Sequence, residues 1–225
     1  MITFENVSKE YPYHGFALQN VSFSVAQGEF VFLVGHSGAG KSTILKLLTR
    51  QILPTAGQVT LENVDIGSPK YTDLVKLRQK IGIIFQDFKI LPDKTVFENV
   101  ALALAVSEHS PALIEAEVMK ALTQVKLAQK KAQFPAQLSA GELQRVAIAR
   151  AVVGDRRIIL ADEPTGNLDP KTSWEIFKIF TELAKTRTIL IATHNTDIVE
   201  SMQKRVLYMS HGVLERDQKE GGYFK

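Results

Sequence analysis

Apolar positions along this chain fall into two rhythms. Short, almost unbroken runs recur at Glu29–Val34, Ile81–Phe85, Ile158–Ala161 and Thr188–Ala192. They are too short for helices and too uniformly apolar for a sheet with one wet face. They therefore read as strands buried on both sides, the habit of parallel sheets. Ile2–Val7, Leu18–Val25 and Gly57–Leu61 are more mixed; in the second, Val21, Phe23 and Val25 alternate with polar residues. These read as strands with one exposed face, the third closed by a turn at Asn63-Val64-Asp65. Helical spacing marks Ile44–Leu48, Tyr71–Lys80, Thr95–Val106, Pro111–Leu127, Leu143–Val153 and Lys171–Ala184. A last hairpin pairs Arg205–Met209 with Val213–Glu215 across His211-Gly212, and the tail Gly221–Lys225 is expected to fray.

Strand signal nearly vanishes between about 87 and 153. The expected fold class is therefore α/β, with an N-terminal antiparallel β subdomain. About 1–86 and 154–225 form the core and β subdomain, and about 87–153 an inserted α-helical subdomain. The length of 225 residues suits one such domain.

The first candidate chemistry lies where a buried strand meets a helix. Gly35-His36-Ser37-Gly38-Ala39-Gly40-Lys41-Ser42-Thr43 fits GxxxxGK[ST], with Glu29–Val34 before it and Ile44–Leu48 behind. Glycines let the backbone curl until successive N–H groups cradle an anion, and the helix N-terminus adds its positive end. Lys41 then reaches the terminal phosphates of a nucleoside triphosphate, and the Ser42 hydroxyl ligates Mg²⁺. The loop resembles that of the P-loop NTPases, and the resemblance implies a RecA-like core around it.

Other candidates sit at element ends. Asp162 and Glu163 abruptly close an apolar strand, where α/β sheets place their ligands. Asp162 suits Mg²⁺, and Glu163 suits a base that polarises an attacking water. His194 ends the next buried strand, and Gln86 follows Ile81–Phe85. Ser139 precedes small residues at a helix start, which makes it an N-cap and also a second anion site. Tyr11, beside Pro12, reads as an exposed loop aromatic that either stacks on an adenine or packs on a sheet edge.

Composition narrows the picture in three ways. Net charge is only +3, which gives no argument for nucleic acid, and the basic Lys126–Gln133 stretch reads as a solvated helix end. Cysteine is absent, which excludes disulfides and thiolate metal sites. The longest apolar run, Val100–Val106, falls far short of the roughly 20 residues of a membrane span, and Met1–Asn6 lacks the blocks of a signal peptide. Any work at a membrane needs a partner to hold the chain there.

In order, these motifs resemble the ATP-binding-cassette (ABC) ATPases over nearly the whole chain. Tyr11 matches the adenine-stacking A-loop, Gly35–Thr43 Walker A, and Gln86 the Q-loop. Leu138–Glu142 match the signature, Ile158–Glu163 Walker B, Asn167-Leu168-Asp169 the D-loop, and His194 the switch histidine. The resemblance implies ATP and Mg²⁺, with Ser42, Gln86 and Asp162 at the metal and Glu163, His194 and Gln86 in catalysis. It also implies a head-to-tail homodimer in the ATP-bound state. There Ser139, Ala140, Gly141 and Glu142 close over the partner's ATP, and Asp169 crosses the interface.

Within the family, Phe85–Val100 is most similar to the cell-division branch. This implies a peripheral protein on the cytoplasmic side of the bacterial inner membrane. An integral membrane partner would dock near Phe88, Ile90, Leu91 and Phe97, unless those side chains are the helical subdomain's own core. Close alternatives are the ATPases of lipoprotein- or drug-export complexes. A soluble family member acting on nucleic acid or ribosomes fits less well, since such members carry long coiled coils or two cassettes. A small GTPase is excluded, because no Asn/Thr-Lys-x-Asp motif is present.

The signature departs from the usual Leu-Ser-Gly-Gly-Gln at Ala140 and Glu142. If residue 140 needs a positive φ, its methyl costs about 1 kcal/mol; if it is already helical, the cost is small. The expectation is intact ATP binding with modestly slower closure or hydrolysis, and a rise in turnover when glycine is restored at 140.

Overall fold

The computed structural model describes residues 1–13, 15–105 and 110–219. Along the chain lie β1 (Ile2–Tyr11), β2 (Gly15–Val25), β3 (Phe30–Val34), α1 (Lys41–Leu48), β4 (Ala56–Leu61) and β5 (Val64–Asp65). Next come α2 (Leu74–Lys80), β6 (Ile81–Ile84), α3 (Val96–Ala101), α4 (Pro111–Gln124) and α5 (Ala140–Val152). β7 (Ile158–Asp162), α6 (Pro170–Leu183), β8 (Thr188–Thr193), α7 (Thr196–Met202), β9 (Arg205–Ser210) and β10 (Val213–Gln218) complete the order. The Gly221–Lys225 tail, expected to fray, lies outside the described residues, as does Val106.

Contacts divide the chain into two compact units, Met1–Arg78 with Thr188–Lys225, and Gln79–Arg187. In the first, β2, β1, β4 and β5 form an antiparallel sheet in that order. Its inner face is sealed by Ile2, Phe4, Val7, Val21, Val25 and Val59, all essentially without solvent exposure. β3 lies between β8 and β9, parallel to both, with Val34 beside Thr193 and Tyr208. Every residue of β3 and β8 is buried, as their unbroken apolar runs require. Arg205 on β9 donates to Glu29 just ahead of β3 and to Asp217 on β10, tying the final hairpin to the foot of the central strand.

In the second unit, β6 and β7 pair in parallel, with Ile84 beside Ala161. Gly82 makes the fit of α5 possible, because a Cβ there would lie 1.8 Å from the Ala151 carbonyl. Described residues from 87 to 153 hold helices and 3-10 turns but no strand. α3 is opened by a Thr95–Glu98 capping box and α4 by Ser110 with Pro111 behind it.

Three local expectations need correction. Tyr11 is the last residue of β1, paired with Gly15 and half-buried, and not part of an exposed loop. The turn after β4 lies at Glu62 and Asn63, both in left-handed conformation, so that Val64 and Asp65 pair back as a strand. α5 begins at Ala140, three residues before the expected Leu143, because Ser139 and Glu142 form a reciprocal capping box.

Candidate functional site

The phosphate loop leaves the end of β3 and enters α1. Gly35 has φ +150° and its α-carbon faces the Met209 carbonyl, where a Cβ would sit 2.2 Å away. Gly40, with φ +104°, caps α1 and lies against the Ala17 carbonyl. Both positions exclude side chains by conformation and by space. No side chain caps α1, and its first turn carries no acid, so its amide donors and dipole face the loop uncompensated. Lys41 is buried, and its ammonium donates to the carbonyls of Gly35 at 2.6 Å and His36 at 3.1 Å, across the mouth of the loop. His36, Ser37, Gly38 and Ser42 are exposed, whereas Ala39 is buried.

The rest of this half is set by register. β8 runs parallel to β3 with Thr193 beside Val34, so His194 and Gly35 emerge at the same edge. His194 is exposed. Gly212 donates from its N–H to the Ala39 carbonyl and accepts from the Gln19 N–H, so the β9–β10 turn braces the loop. His211 in that turn lies with its ring 4.7 Å from that of His36. Tyr11 has the Lys9 ammonium 5.3 Å from its ring centre, a cation–π contact on one face.

In the second unit, Gln86 follows β6 and Glu163 follows β7, at the same end of that parallel pair. The Gly166 N–H donates to the Glu163 carbonyl, and the Asn167 amide donates to the Gln86 carbonyl. Gly166 also lies against the Gln86 side chain, where a Cβ would be 3.2 Å from Nε2. Glu163 itself is held at φ +46°. For a non-glycine residue this costs about 1–2 kcal/mol, a strain that persists only where surrounding contacts fix it. Asp162, the last residue of β7, is half-buried.

The segments expected as signature and D-loop meet in the same unit. Ser139 accepts from the Glu142 N–H, and Glu142 accepts from the Ser139 N–H and from Lys130 Nζ at 2.6 Å. The Lys130 ammonium, then the Ser139 amide, hold the Glu142 carboxyl below its usual range. Asp169 caps α6 by accepting from the Thr172 N–H and hydroxyl. Gly141 faces Thr172, where a Cβ would lie 2.5 Å from its methyl carbon.

Ala140 is in the first turn of α5 and is not among the residues with positive φ. The expected gain in turnover on restoring glycine therefore loses its physical reason, because a helical residue 140 carries no positive-φ strain to relieve. Ala140→Gly removes a good helix former and relieves nothing. We expect a loss of about 0.5 kcal/mol, read from thermal melts, and no rise in ATP turnover.

Among the described residues no three His, Cys, Asp or Glu side chains gather as a metal cage. Comparison with known proteins decides the assignment. The profile of the family described as ABC transporter matches residues 18–166. The chain belongs to the ABC transporter family. As a family member it is an ATPase, and its mixed sheets and helices are those of the P-loop NTPase cassette expected from its motifs.

Relatives agree along the full cassette. The cell division ATP-binding protein FtsE of Bacillus subtilis (strain 168) is 47% identical over 224 residues, covering 99% of this chain and 98% of that protein. The protein of the same name from Escherichia coli (strain K12) is 46% identical over 215 residues, covering 95% and 97%. Among solved structures, the dimeric structure of MJ0796, a bacterial ABC transporter cassette, is 36% identical. It has a TM-score of 0.86 and covers 99% of this cassette and 100% of that chain. A dimeric post-hydrolysis state of the same protein bound to ADP and Pi is 35% identical with the same TM-score, 0.86.

Reasoning from sequence missed the left-handed Glu163, the packing of Gly141 on Thr172 and the His36–His211 pair. None leaves a periodic or compositional trace, since each depends on residues brought together by the fold.

Proposed function

We propose that this chain is the ATP-hydrolysing subunit of a bacterial cell-division complex. It would act as a mechanical switch on an integral membrane partner that resembles FtsX, the partner implied by its likeness to FtsE. The observation that carries this reading is likeness over almost the whole chain to proteins named for cell division. By the same likeness the chain would act peripherally on the cytoplasmic face, attached through that partner; no described helix is long and apolar enough to cross a membrane.

In this reading Lys41 and the amides of Gly35–Thr43 bind the phosphates of ATP, and Tyr11 presents its ring to the adenine. Ser42, Asp162 and Gln86 hold Mg²⁺; a hydroxyl, a carboxylate and an amide oxygen are the hard oxygen donors it takes beside nucleotide phosphates. An ion held by these residues would neutralise phosphate charge and polarise the γ-phosphoryl group. Glu163 accepts the proton of a water as its oxygen attacks the γ-phosphorus and the bond to the bridging oxygen of ADP breaks. Gln86 orients that water, and His194 donates to the γ-phosphate. Ser139 and the N–H groups at Ala140, Gly141 and Glu142 bind the ATP held by a second copy, and Asp169 reaches across to that copy's site. Two nucleotides thus hold a homodimer together, and loss of the γ-phosphate releases it. The dimeric cassettes of MJ0796 support that arrangement. We also retain residues 87–153 as the helical subdomain that carries the docking surface and signature.

Phe88, Ile90 and Phe97 are only half-buried, and Leu91 is 41% exposed, which favours a docking surface over a private core. A charge introduced as Phe88→Asp or Leu91→Asp is expected to abolish recruitment to membranes carrying the partner while ATP binding changes less than about threefold. Pull-down of a tagged Glu163→Gln chain with ATP tests the assignment. Co-purification of an FtsX-like membrane protein supports it; a permease with a lipoprotein carrier or periplasmic adaptor would move the chain to export.

A further inference from the structure

The segment between Gln86 and α3 is gripped from the far end of the signature helix. Phe88 and Lys89 are consecutive non-glycine residues at φ +55° and +51°. Left alone, two adjacent residues in this conformation relax to another shape. Arg150, in the last turn of α5, donates one guanidinium nitrogen to the Lys89 carbonyl and another, at 2.7 Å, to the Phe88 carbonyl. Partial burial pulls the Arg150 guanidinium below its ordinary pKa, with no charged group among the causes. A half-buried charge whose hydrogen bonds go to two loop carbonyls fixes the shape of that loop.

A second anchor holds the other end of the segment. Asn99, fully buried on α3, accepts from the Leu91 N–H and donates to the carbonyls of Leu91, Lys94 and Thr95. The tail of α5 is seated as firmly, with Ala151 directly over Gly82 of β6, the strand that leads into Gln86. From Arg150 back to Ser139 the helix is continuous, a rise of roughly 16 Å at 1.5 Å per residue.

We propose that Arg150 is a positioning residue that fixes the docking segment Phe88–Leu91 to the tail of the signature helix. A partner seated on that segment therefore shifts Ser139 and Gly141 at the opposite end. This rests on the docking reading given above. Arg150 touches neither nucleotide nor partner in this assignment. Its role is to keep two strained residues in the one conformation that presents Phe88 and Leu91, and to make that conformation move with α5.

The test compares Arg150→Met, Arg150→Lys and Phe88→Asp in the full chain, with membranes carrying the partner and, separately, in solution. Sedimentation with those membranes should weaken at least tenfold for Arg150→Met. Arg150→Lys, which still donates to a carbonyl, should recover at least a third of wild-type recruitment. Melting temperature and ATP-driven dimerisation on the Glu163→Gln background should match the parent for the lysine variant, which also serves if the methionine variant fails to fold. If Phe88→Asp abolishes recruitment while neither Arg150 variant changes it, the positioning role is wrong and the docking surface stands. If Phe88→Asp binds membranes like wild type, the docking reading fails first and this inference falls with it. Equal defects in the lysine and methionine variants, with lowered melting temperature in both, would reduce Arg150 to a structural residue.

Discussion

Glu163→Gln should leave a cassette that binds ATP, dimerises and then stops. Hydrolysis is expected to fall by at least about 100-fold, the lower range for loss of a general base. ATP affinity should stay within about threefold, since the phosphate-binding amides and Lys41 are untouched. The side chain is nearly isosteric, so the left-handed backbone at φ +46° and the Gly166-to-Glu163 hydrogen bond persist. On the proposed assignment, the ability to take a proton from water is lost. Phosphate release measures the first effect, and gel filtration with ATP measures accumulation of dimer. A variant that retains a tenth or more of wild-type turnover would remove Glu163 from the role of base. Glu163→Gly makes a useful contrast: it abolishes the base and also relaxes the backbone, so it should lose turnover without trapping as sharp a dimer.

Gly141→Ala should separate nucleotide binding from dimer formation. The new methyl carbon would meet the Thr172 methyl group at 2.5 Å. Thr172 does not turn aside without loss, because its hydroxyl and its amide both donate to Asp169. Rotation of Thr172 therefore loosens the cap of α6 as well as the signature, and we expect a destabilisation of about 2 kcal/mol. ATP-driven dimerisation should weaken at least about tenfold, the equivalent of 1.4 kcal/mol. Thr172→Ser keeps the hydroxyl and deletes the offending methyl, so the double variant should regain most of both losses. A double-mutant cycle with no coupling would mean that the contact is easily relieved elsewhere. The same geometry fixes a pH trend. Thr172 hydrogen bonding holds the Asp169 carboxyl below its ordinary value, so its capping contribution is present above the unfolded pKa near 3.8 and is lost as pH falls through the folded one.

Strand–loop–helix order around the phosphate loop was legible because each signal there is strong and local. β3 is an unbroken apolar run, the loop carries three glycines within six positions, and α1 follows at once. β7 and β8 were legible for the same reason. Tyr11 was misplaced because Ser8, Lys9 and Glu10, which carry β1 onward to it, are polar and show no alternation. The start of α5 was placed late because apolar spacing begins only at Leu143, whereas the helix is opened by polar groups at Ser139 and Glu142. Glu163 gives no hint of its conformation, since the turn that imposes it is closed by Gly166. The hold of Arg150 on Phe88 and Lys89 links positions about sixty residues apart, beyond any periodic pattern.

Placement of β3 between β8 and β9 has a consequence for synthesis. The strand that delivers the phosphate loop is complete by residue 34, yet its neighbours are residues 188–193 and 205–210. The brace on Ala39 comes later still, from Gly212. A growing chain must therefore carry an unpaired, wholly apolar five-residue strand while most of its sequence is made. During that interval it presents the kind of edge that aggregates and that chaperones shield. A chain that stops before residue 212 lacks this brace on Ala39, so the phosphate loop is expected to take its final shape only once the last hairpin has been made.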